Sequence, residues 1–169
     1  MLLPKTVDGK PYSVLKLKEL CAVRKESPWG LIDARSKKWE QGAWTSGSPS
    51  ASEWVLIPKR DPDRRQVRAN EHFRGKGMRD QARVLKHYST DCREARALEV
   101  MTAAILTHLV SDERILEHCV LRVMEPSGVG GRVQVGLFGS AGLNVFTEDN
   151  GRKDHSNNLG PALARRTRV

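Results

Sequence analysis

No uninterrupted apolar run in this chain approaches the roughly 18–20 residues that a membrane-spanning helix requires, so a helical membrane protein is not expected. Cysteine is scarce as well. Cys21, Cys92 and Cys119 are three in number, widely spaced and without Cys-x-x-Cys pairs, a pattern that gives neither a disulfide framework nor a zinc knuckle. The opening Met1-Leu2-Leu3-Pro4-Lys5 runs into polar sequence and lacks the apolar core of a signal peptide. Residence in a reducing cytoplasm is the expectation, although export without a cleaved signal would leave no such mark.

What the chain does have is positive charge. Its 169 residues suit one domain with a real core, and 29 Lys and Arg against 20 Asp and Glu give +9. Such a charge attracts nucleic acid, anionic surfaces or acidic proteins. The basic residues are interspersed with acids rather than gathered in a block, and a solvated basic surface explains the same composition.

Local patterns supply the elements. Pro4, Gly9 and Pro11 mark residues 2–12 as extended chain and turn. Val14, Leu17, Leu20 and Cys21 recur at helical spacing behind Ser13, a suitable N-cap. Residues 41–52 read as a flexible small-residue loop that Trp39 and Trp44 could pin to the body. The run Trp54-Val55-Leu56-Ile57, stopped by Pro58, predicts a short buried strand. Residues 59–77 read as an exposed arginine-rich loop, with Met78, Ala82, Leu85 and Tyr88 on one helical face beyond it. Between Glu94 and Val110 the sequence is apolar nearly all round a helix, which predicts burial on several sides. The period then becomes alternating. Cys119 to Met124, Val133 to Leu137 and Leu143 to Phe146, separated by glycine turns, predict an antiparallel meander. The expected fold class is therefore α+β: one buried central helix and shorter helices packed on a small, mainly antiparallel sheet. Residues 1–150 form the single domain, and residues 151–169 form a polar, basic, exposed C-terminal tail.

Several stretches carry a resemblance. Leu-Pro-Lys-Thr-Val-Asp-Gly-Lys-Pro at 3–11, Trp-Val-Leu-Ile-Pro-Lys at 54–59, Arg-Asp-Gln before Tyr88, Ala-Leu-Glu-Val-Met-Thr-Ala-Ala-Ile-Leu-Thr at 97–107, Glu113-Arg114-Ile115-Leu116 and Val-Gly-Leu-Phe-Gly-Ser-Ala-Gly-Leu at 135–143 are spread along most of the chain. Together they resemble a multi-copy family of uncharacterised proteins of chlamydia-related intracellular bacteria. The chain departs from that pattern in its greater basicity and at His118-Cys119-Val120-Leu121-Arg122. The resemblance implies a bacterial setting and no activity, cofactor or site residue.

Candidate chemistry is thin. Gly136, Gly139 and Gly142 precede strand residues rather than a helix, so hairpin turns outweigh a phosphate loop, and Phe138 breaks a nucleophile elbow around Ser140. Cys92 and His87, at the polar break before the apolar helix, are the weak catalytic candidates, since a nearby base and a helix N-terminus both favour a thiolate. Glu99 and His108 are nine residues apart, hence on opposite sides of one helix. Glu99 is expected to bond an arginine, and His108 to be a core or rim histidine. His108 with Asp112 supplies only two of the ligands a metal site needs. Neither a metal nor a cofactor is expected.

For nucleic acid, the candidates are Arg64, Arg65, Arg68, Phe73, Arg74 and Lys76 in the 59–83 segment, with Arg165 and Arg166 in the tail. Protein recognition without catalysis ranks first, nucleic-acid binding second, and a Cys92/His87 enzyme third. Protein recognition requires an exposed apolar or aromatic patch, with Trp39 or Trp44 as candidates.

Overall fold

A computed structural model describes residues 1–22, 31–32, 37–57, 80–81, 83, 92–127, 131–147 and 159–167. In chain order these give β1 (Leu2–Leu3), β2 (Thr6–Val7), β3 (Lys10–Pro11), α1 (Val14–Ala22), β4 (Glu53–Leu56), β5 (Cys92–Glu94), α2 (Ala97–Ser111), β6 (Val120–Pro126), β7 (Arg132–Gly139), β8 (Gly142–Phe146), β9 (Leu159–Pro161) and β10 (Leu163–Thr167). The fold is α+β, as the residue patterns predict.

Two four-stranded sheets organise it, one ordered β1-β4-β10-β5 and the other β8-β7-β6-β9. All pairings in the first are antiparallel, and β6 with β9 is the parallel exception in the second. Strands β6, β7 and β8 make the expected meander. A smaller hairpin joins β2 to β3 through Asp8 and Gly9, both at positive φ (52° and 74°). An Asp-Gly pair suits that turn because its twist matches the strands it connects.

Helix α1 starts where its sequence says it should. The Ser13 hydroxyl accepts from Lys16 N–H at 3.2 Å, and the Ser13 carbonyl accepts from Leu17 N–H at 2.8 Å. Helix α2 packs against α1, β6 and β7. Leu98, Met101 and Ile105 of α2 join Val123, Val133, Val135, Leu143 and Val145 of the second sheet, and Leu3, Val55 and Ala164 of the first, in one core. Each large aliphatic side chain buried there contributes about 1.5–3 kcal/mol. Tyr12 and Thr102 share a buried hydrogen bond of 2.9 Å, linking the chain before α1 to α2. The circumference of α2 is not uniformly covered: Leu106 is 43% and Val110 86% exposed.

Three expectations need correction. The segment 159–167 is not an exposed tail. Its backbone runs as two consecutive strands through both sheets, with β10 between β4 and β5. Polarity misled there because a strand interior to a sheet is held by its backbone bonds, and small residues such as Ala162 and Ala164, both buried, meet the core. Within β4, Val55 is buried but Trp54 and Leu56 are about half exposed, so a strand expected to be buried is buried on one face only. In β7 the alternation breaks. Leu137 takes φ +48° at an irregularity in the β7–β8 register, faces outward, and leaves Phe138 to enter the core. The loop at 41–52 carries a 3₁₀ turn at Ala43–Thr45, and beside it Trp39 is fully buried with its ring 6.2 Å from that of Trp44.

Gly136 sits where β7 presses on the chain entering β6. A Cβ there would lie 2.1 Å from the Cys119 carbonyl oxygen and 2.7 Å from the Val120 Cα, both backbone atoms unable to swing aside. Gly136→Ala is therefore expected to destabilise the protein by roughly 1–3 kcal/mol through overpacking. Urea unfolding measures this, and an unchanged midpoint contradicts the close approach.

Candidate functional site

The alternation of strands in the first sheet separates an inner from an outer face. Cross-strand partners share a face, and the register aligns Leu2 with Trp54, Arg165 with Leu56, and Arg165 with Cys92. These residues line the side away from Leu3, Val55 and Ala164, which are buried. On the outer side Leu2 is 46%, Trp54 48% and Leu56 50% exposed. Three large apolar groups on adjacent strands, with the exposed Arg165 beside Leu56, form a strip that water only partly covers. Isolated exposed apolar residues are ordinary, but a contiguous row is the usual mark of a contact surface. At the far end of β5, Glu94 pairs with Arg132 at 3.3 Å.

Behind that face lies a buried ionic junction at the N-terminus of α2. Glu99 is fully buried and receives two hydrogen bonds from the Arg93 guanidinium, at 2.8 and 2.5 Å. It also accepts from the Arg96 backbone N–H at 2.8 Å and from Arg96 Nε at 2.9 Å. This supplies the carboxylate half of a capping box. Arg96 has no acceptor for the other half, so its guanidinium bonds Glu99 and Glu53 instead. Glu125 on β6 accepts from Ala97 N–H at 2.9 Å and so satisfies another N-terminal donor. Both carboxylates stand at the positive end of the helix dipole.

Their protonation is pulled in opposite directions. Burial acts against the charge of Glu99, yet the Arg93 bonds, the Arg96 N–H and the two guanidinium charges together outweigh it and hold Glu99 below the ordinary carboxylate range. Burial pushes Glu125 up, and the negative charge of Glu99 adds to that, against the pull of Ala97 N–H.

The sequence candidates fall unevenly on this geometry. Cys92 is half-buried on β5. It lies in a strand rather than at the start of α2, which begins at Ala97. His87, Arg64, Arg65, Arg68, Phe73, Arg74 and Lys76 lie outside the described residues. Arg165 is exposed on the outer face, and the backbone of Arg166 is in register with Val55. Trp39 and Trp44 do not form the exposed patch. Trp39 is in the core, and among the described tryptophans the half-exposed one is Trp54, which the sequence pattern assigned to a buried strand. A four-residue apolar run cannot by itself tell a strand covered on both faces from one covered on a single face.

Glu99 bonds arginines as expected, and His108 is a buried histidine edge-on to Phe138 at 5.1 Å. Asp112 is 3.4 Å from His108 Nδ1 without hydrogen-bond geometry. Among the described residues no group of three ligating side chains could hold a metal ion, and no helix is long and apolar enough to cross a membrane. Gly139 and Gly142 pair where β7 turns into β8. No protein-family model, no curated protein and no solved structure matches the chain.

The junction makes a signed prediction about pH. A carboxylate with a lowered pKa stabilises the fold above its unfolded value of 4.5, and that contribution is lost as pH falls through the folded value. A carboxylate with a raised pKa does the reverse, and its cost at neutral pH is relieved as pH falls toward 4.5. Glu99→Gln, which strands Arg93, is expected to cost about 3 kcal/mol at neutral pH, the lower end for one partner of a buried pair because Arg93 retains some water contact. Glu125→Gln keeps an acceptor for Ala97 N–H and is expected to be neutral or stabilising there. Urea unfolding across the acid range checks both signs, and equal losses in the two variants at neutral pH contradict the assignment.

Proposed function

We propose that this domain recognises another protein without catalysis, through the outer face of its first sheet. The observation that carries this reading is the strip of Leu2, Trp54 and Leu56, each about half exposed and aligned across β1 and β4. Removing such a strip from water at about 25 cal/mol per Å² is the ordinary driving force of protein association. The strip is backed by the core through Leu3 and Val55 and by the ionic junction, so it is offered on a rigid element rather than a loop.

Nucleic-acid binding is the second reading, supported by the net charge of +9 and by exposed Arg165 beside the strip. A Cys92 enzyme comes third, supported by the half-buried thiol alone. None of the three cysteines forms a disulfide, which supports a reducing, cytoplasmic setting. The resemblance to proteins of chlamydia-related bacteria supports a bacterial setting.

Panning a random peptide library against the full chain tests the first reading. Recovered peptides are expected to lose at least about tenfold in affinity on Trp54→Ser combined with Leu56→Ser, the loss of about 1.4 kcal/mol that one anchoring contact provides. Circular dichroism checks that the variant is folded. Mixed-sequence DNA and RNA are expected to give no gel shift at micromolar protein near physiological salt. Peptides indifferent to Trp54 and Leu56, or a strong salt-sensitive shift, contradict the proposal.

A further inference from the structure

We draw no further inference here: the strongest candidate, the half-exposed strip of Leu2, Trp54 and Leu56 on the outer face of the first sheet, belongs to the surface already proposed, and among the described residues nothing shows what covers it.

Discussion

The fold depends on one crossing of the chain at Ala162. Its N–H donates to the Arg122 carbonyl on β6 at 2.7 Å, and its carbonyl accepts from Ala95 N–H at 2.8 Å. On one side of this residue β9 extends the second sheet alongside β6. On the other, β10 enters the first sheet between β4 and β5. Ala95 closes the figure by accepting from Met124 N–H at 2.9 Å. The two sheets therefore share backbone hydrogen bonds and do not merely touch. A side chain larger than alanine has little room at a residue this deeply buried. Without β10, the strand that carries Trp54 and Leu56 would keep only the two-residue β1 as a described neighbour.

The ionic junction occupies the same place for a physical reason. The first turn of α2 begins two residues after Ala95, and its unpaired N–H groups point into a region walled by both sheets, where water is scarce. Glu99 and Glu125 satisfy two of those donors, and Arg93 and Arg96 make the resulting buried charge tolerable. Buried ion pairs add little net stability over an apolar replacement, but they penalise any arrangement in which a partner is missing. Glu53 on β4, Arg93 on β5 and Glu125 on β6 each tie a strand to the helix end, which holds the first sheet at a set orientation to α2. The outer face that carries Leu2, Trp54 and Leu56 is the reverse side of that arrangement.

Much of this was legible in the residues. The meander announced itself because alternation and glycine turns agreed from Val120 to Phe146, and α1 because Ser13 caps an amphipathic run. The Glu99–arginine pairing followed from a lone acid in an apolar helix. The misses share a cause: they depend on long-range neighbours. Leu-Ala-Arg-Arg-Thr at 163–167 has no apolar alternation, and only β4 and β5 on either side make it a strand. Trp54 points outward because the register with Leu2 and Arg165 puts Val55 inward, and no local pattern states that choice. Leu137 and Phe138 exchange roles at a backbone irregularity that the sequence gives no sign of.

Shortening the chain tests the shared crossing most directly. A variant ending at residue 158 lacks β9 and β10 while retaining α1, α2 and the whole meander. If the C-terminal strands hold both sheets together, this variant loses its cooperative urea transition and the near-ultraviolet signal of its ordered tryptophans. A shortened chain that unfolds cooperatively at the same midpoint as the full chain would contradict the account, because β10 would then be an ornament on a fold that stands without it.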